Sequence, residues 1–184
     1  MKGVWIAFRV MLFLVVAGCS SATQSTMTQK DVVDMIYEET GEVLYLPEFE
    51  QLDVSYVYVQ YGDDGSVRSI DVQYADGRTS EVIDYFQKPS NVAEWEEQHH
   101  AKKVYGPFEG DVAFMITYGM NGMTTTTAQQ VTELEGVEVA IQEDTTFTIH
   151  SISLNGGYSL AYNNEYVTEE EALEQTRSFL MNVK

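Results

Sequence analysis

One cysteine, three prolines and ten basic residues set against 29 acidic ones are the scarcities of this chain. A single cysteine, Cys19, excludes an internal disulfide, so the fold is held by its core alone. The shortage of Lys and Arg leaves a formal net charge of −19. That balance argues against nucleic acid, whose binders carry basic patches. It also argues against docking of the folded domain on anionic lipid, which attracts basic segments. A cation is the kind of partner it attracts. No apolar run reaches the roughly 20 residues of a transmembrane helix. The longest one is interrupted by Arg9 and closed by Ser20-Ser21. There is no G-x-S-x-G elbow for a serine nucleophile and no Gly-rich phosphate loop. Scarce proline alongside twelve tyrosines suits a β-rich domain.

The chain starts with basic Lys2 and Arg9, then the apolar Met11-Leu12-Phe13-Leu14-Val15-Val16, then Ala17-Gly18-Cys19. A basic start, a short apolar core and small residues before a cut are the parts of a signal peptide. With cysteine directly after Val16-Ala17-Gly18, the arrangement resembles a bacterial lipoprotein signal peptide with its lipobox. The resemblance implies cleavage before Cys19, acyl chains on its sulfur, and residence on the extracytoplasmic face of the cell membrane. One acyl chain, at about 0.8 kcal/mol per buried methylene, binds a membrane only marginally. The two or three chains that the family's modification adds make the anchor permanent. Losing residues 1–18 removes two positive charges and takes the formal charge from −19 to −21. The expected organisation is a cleaved signal peptide at 1–18, the lipidated Cys19 with a flexible tether at 19–27, and a single domain at 28–184. The tether residues 20–27 (SSATQSTM) are small and polar until Met27. Fully extended, they reach roughly 30 Å and lift the domain off the membrane.

Thr28, with Asp31 three residues on, reads as a capping box opening a helix that Gly41 ends. Residues 53–61 (DVSYVYVQY) alternate as a strand covered on both sides, with Val54, Tyr56 and Tyr58 sharing one face and Val57, Val59 and Tyr61 the other. Gly62-Asp63-Asp64-Gly65 reads as a hairpin turn, followed by a half-buried strand through Ile70, Val72 and Tyr74. Asp76-Gly77 reads as a second turn, into a third strand at 81–86. Pro89-Ser90 breaks the chain before a short exposed helix at 91–102 packed through Val92 and Trp95. Strands are expected at 111–118, 137–142, 145–154 and 158–163, the last two joined at Asn155-Gly156. A final helix starts at Thr168, with Glu171 at its third position and Ala172, Leu173, Thr176, Phe179 and Leu180 on its inner face.

The C-terminal order of Gly136-Val137-Glu138-Val139, Asn155-Gly156-Gly157-Tyr158, Tyr166 and the Thr168-Glu169-Glu170-Glu171-Ala172-Leu173 helix is similar to an uncharacterised extracytoplasmic domain of Gram-positive lipoproteins and anti-sigma-factor-like membrane proteins. The resemblance spans 44–182 and implies a curved antiparallel sheet with a few helices. The expected fold class is therefore α+β, a curved antiparallel β-sheet with an N-terminal helix, a short middle helix and a C-terminal helix.

Few residues suggest chemistry. Glu96 and His100 are four apart and share a helix face, but a zinc site needs a further ligand such as His150. Met115, Met120 and Met123 have the thioethers that suit Cu(I), and equally fill cores. Asp63-Asp64-Gly65 and Asp71 lack calcium-loop spacing. The best hint is Tyr56, Tyr58, Tyr61, Tyr74 and Tyr85 on neighbouring strands, whose rings can line a binding groove or simply pack. No catalytic residue, metal ligand or cofactor is assigned, and the one modified residue is Cys19. The expected function is a non-catalytic, lipid-anchored binding or sensory module of the cell envelope. Its expected partners are the membrane, through the lipid on Cys19, and an envelope protein, a peptide or an apolar ligand, with no nucleic acid. An envelope hydrolase using carboxylates and a metal-handling lipoprotein are the alternatives.

Overall fold

The computed structural model describes residues 27–120 and 128–183. The signal segment 1–18, Cys19, most of the tether and Met123 lie outside the described residues. One antiparallel sheet of eight strands dominates the structure. The strands are β1 (Leu52–Tyr61), β2 (Val67–Asp76), β3 (Ala101–Tyr105), β4 (Asp111–Gly119), β5 (Gln130–Leu134), β6 (Val137–Glu143), β7 (Phe147–Ile152) and β8 (Tyr158–Asn163). Their spatial order is β3-β1-β2-β4-β8-β7-β6-β5. The helices are α1 (Gln29–Thr40), α2 (Pro89–His99) and α3 (Glu169–Val183). The expected α+β fold, a curved antiparallel sheet with three helices, is corrected here. The sheet is large, and among the described residues strand makes up 40% against 28% helix. Two strands absent from the sequence reading, β3 and β5, form its two outer edges.

Short-range chemistry starts and stops the helices. The Asp31 and Thr28 side chains cap each other's backbone N–H at the start of α1, and Gly41 closes it with φ +76°, a conformation that glycine adopts without strain. Thr168 and Glu171 repeat the reciprocal pair at α3. Pro89 does not break the chain. It occupies the first turn of α2, where its missing N–H costs nothing. That helix ends at His99, and residues 101–105 pair with β1 as a strand instead of extending the helix.

The sheet has two unlike faces. On one, Val57, Val59, Ile70, Val72, Tyr74, Phe114, Ile116, Leu160 and Tyr162 pack against Val32 and Ile36 of α1 and Ala172, Phe179 and Leu180 of α3. Segment 42–50 crosses this face, with Tyr45 against Phe179 and Phe49 edge-on to both Tyr74 and Phe114. On the other face α2 covers only the β1 end, where Trp95 and Phe86 pack on Tyr56, and Trp95 also on Tyr58.

The expected third strand at 81–86 does not form. Val82 makes one bridge to Phe108, and Asp84–Gln87 coils into a single 3-10 turn that leads into α2. The face assignment in β1 is also corrected. A bulge at Ser55 puts Val54 opposite Tyr74 and Val57 opposite Val72. Val54 therefore joins Val57 and Val59 on the helix-covered face, away from Tyr56 and Tyr58.

Candidate functional site

Tyr74 of β2 is flanked by a bulge on each side. In β1 the extra residue is Ser55, and in β4 it is Ala113, since Tyr74 pairs with Phe114 while Ala75 pairs with Val112. Bulges bend a strand and re-aim side chains. Here two of them act on one row of the sheet, at the end where α1 begins. Ser55 is held in the bulge by the Phe108 N–H donating to its carbonyl at 2.9 Å and by its own hydroxyl donating to the Gln73 carbonyl at 3.2 Å.

A cavity of about 250 Å³ lies at this end of the sheet. Met27, Thr28, Gln29 and Val32 line it from the start of α1, Glu48, Phe49 and Leu52 from the crossing segment, and Asp53, Val54, Tyr74, Arg78 and Tyr105 from the sheet end. Gln29 fixes one wall by donating its side-chain amide to the Leu46 and Pro47 carbonyls. Glu48 and Phe49 also line a second cavity of about 120 Å³ beneath α3, with Tyr45, Phe114, Tyr162, Gln175 and Phe179.

Two residues that line the first cavity each keep a fully buried polar atom with no hydrogen-bond partner, the Tyr74 hydroxyl and Arg78 Nε. Tyr74 is 1% exposed. Burial, with the charges of Tyr45 and Glu48, pushes its phenol far above the ordinary range, so it stays protonated and is a hydrogen-bond donor. The Arg78 guanidinium donates to the Tyr105 hydroxyl at 3.2 Å and lies 4.9 Å from the centre of the Phe108 ring. Its Nε is 3.8 Å from Asp53 Oδ2, but Asp53 is largely solvated. A buried donor without an acceptor costs about 1–3 kcal/mol unless something fills its hydrogen bond.

The tyrosines are divided between the faces and do not form one groove. Tyr56 and Tyr58 pack under α2, and burial raises both phenols, that of Tyr58 to about 12. Tyr61 donates to Glu39 of α1 at 2.6 Å, and Tyr85 stacks edge-on to Phe86 at the surface. Of these five, Tyr74 is the one that lines either of the two cavities described.

The proposed metal ligands are scattered. Glu96 accepts from the Lys103 N–H and pairs with Lys102, whereas His100 lies past the helix end with φ 48°. His150 is fully buried under α3. Among the described residues no group of three or more His, Cys, Asp and Glu gathers as a metal site. Met115 lies half-buried on β4, on the face away from the core. Asp64 accepts from Ser66 within the hairpin turn. Asp71 lies on β2, where burial raises its carboxyl despite hydrogen bonds from Thr117 (2.6 Å) and Ser69 (3.0 Å).

Arg78 was missed in the sequence. It sits one residue past Asp76-Gly77, where it reads as a turn residue. The available signal was its rarity, as one of ten basic residues in so acidic a chain. Among the described residues no helix is long and apolar enough to cross a membrane. The chain matches no protein-family model, no curated protein and no solved structure.

Proposed function

We propose that the protein is a lipid-anchored binding or sensory module of the cell envelope, held on the extracytoplasmic face of the membrane through Cys19, and that it works by binding a small ligand without chemical turnover. The observation that carries this reading is the cavity beside Met27, which Tyr74 and Arg78 help to line. The sequence supports the anchor through Val16-Ala17-Gly18-Cys19. Met27 is both a wall of the cavity and the last residue of the tether. From Cys19 to Met27 the chain spans at most about 28 Å, so the anchor keeps the ligand site close to the bilayer.

The test is fractionation of cells making the wild-type chain and Cys19→Ala. The reading predicts wild type in the membrane fraction with a lipid-sized mass increase on the Cys19 fragment, and the variant released. An unmodified Cys19 in wild type contradicts the anchor.

A further inference from the structure

The two edges of the sheet are finished differently. At β3, Lys102 and Lys103 stand on the strand, α2 packs beside it, and the Lys103 N–H donates to the Glu96 side chain at 3.0 Å. Lysine on an edge and a covering helix are two ways of keeping another strand off. At β5 the chain has no such lysine, and no Lys or Arg occurs anywhere from 104 to 176. Among the described residues β6 is the one strand that pairs with β5. The turn between them, Glu135-Gly136, has both residues at positive φ, 52° and 74°, the form of a tight two-residue hairpin. The pair beside such a turn, Leu134 with Val137, exchanges both of its hydrogen bonds, and the pairs alternate from there. The N–H and C=O of Val131 and Glu133 therefore point away from β6, along the outer edge.

The side chains at this edge narrow the partner. Val131 and Glu133 share the face opposite buried Leu134. Val131 is 55% exposed, and among the described residues it is the one large apolar side chain on a strand that is so open. Glu133 lies directly across from Glu138, both are exposed, and like charges so placed repel. A cation on the outer side of Glu133 relieves that repulsion. A second copy of the chain fits less well, because its β5 brings the same carboxylates and its β3 has the Lys103 N–H already engaged. We propose that β5 is a docking edge for a partner protein, taking one of its extended segments as a further strand, with a Lys or Arg beside Glu133 and an apolar side chain beside Val131. Backbone bonds at Val131 and Glu133 supply the hold, and the two side chains supply the selection. β5 lies five strands beyond β2, so this edge acts independently of the cavity.

Fluorescence anisotropy with the full chain in detergent tests it. The probe is a labelled Thr-Val-Thr-Lys-Thr-Val-Thr-Lys amide. Its two controls carry Glu in place of Lys, or a methyl group on every backbone amide nitrogen. The lysine peptide is expected to bind, and each control to bind at least about ten-fold more weakly. Val131→Pro removes an outward N–H and leaves the β6 ladder intact, whereas Glu133→Lys reverses the charge and relieves the repulsion with Glu138. Each variant is expected to weaken the lysine peptide by at least about ten-fold, Glu133→Lys without lowering the melting temperature. Absence of binding by the lysine peptide overturns the proposal. So does equal binding of the N-methylated peptide, which reduces the contact to charge attraction, and so does wild-type affinity in Glu133→Lys. Sedimentation of the chain alone as a dimer that Val131→Pro dissolves also overturns it, in favour of a second copy at this edge.

Discussion

The Arg78 guanidinium donates to the Tyr105 hydroxyl at 3.2 Å, and this bond joins the turn after β2 to the end of the edge strand β3. The two residues are 27 apart in sequence and close one side of the cavity. The cation also rests over Phe108. Arg78→Met keeps the stem and removes both interactions. Chemical denaturation is expected to show a loss of about 1–3 kcal/mol. An unchanged midpoint would mean that the guanidinium does not hold this corner.

The hydroxyls of Tyr74 and Tyr162 are equally buried and differently partnered. Tyr162 lies 2.8 Å from the Thr176 hydroxyl, whereas Tyr74 has no partner. Tyr162→Phe is expected to cost about 1 kcal/mol, and Tyr74→Phe to be neutral or stabilising by a similar amount. Equal losses in parallel urea titrations would show that the Tyr74 hydroxyl has a structural partner after all.

His150 is fully buried, with Nδ1 2.6 Å from Thr176 Oγ1 and Nε2 without a partner. Burial lowers its pKa from 6.5 to about 4. The unfolded chain therefore takes up a proton near pH 6.5 that the folded chain refuses until about pH 4. The neutral imidazole's contribution is complete above pH 6.5 and is lost as pH falls toward 4, by about 3 kcal/mol in total. Asp71, whose carboxyl is raised by burial, shifts stability the opposite way, so the histidine effect is read as a difference. Stability measured at pH 7 and pH 4.5 is expected to fall more in wild type than in His150→Gln. Equal falls would remove the histidine from the account.

A Cβ at Gly106 would lie 2.0 Å from the Ser55 carbonyl oxygen, and the backbone there has φ +70°. Gly106→Ala must push the Ser55 bulge out of place. The expected cost is more than about 2 kcal/mol in denaturant unfolding, because both the close approach and the left-handed conformation are lost. Retained stability would mean that the bulge is free to move.

The features legible in the sequence are those fixed by neighbours within a few residues. Thr28 with Asp31, Thr168 with Glu171, and the turns at Gly62–Gly65 and Asn155-Gly156 are such cases. The edge strands were not legible. Residues 101–105 (AKKVY) and 130–134 (QVTEL) are short strands of mixed polar and apolar residues, and their alternation is too weak to separate them from helix end or loop. Conversely, 81–86 has strand-like residues but makes a single bridge, Val82 to Phe108, before Asp84–Gln87 coils into a 3-10 turn. The cavity was legible only as one name in a set of tyrosines. Its geometry depends on bulges at Ser55 and Ala113 and on an arginine one residue past a turn, and no local pattern announces either.

Native mass spectrometry of the full chain extracted from its own membranes tests the central claim, that the cavity beside the tether is a ligand site. The account predicts one small molecule per chain, retained by wild type and lost from a folded Tyr74→Phe, Arg78→Met double variant. A chain that carries nothing, or a ligand that both forms hold equally, would contradict it.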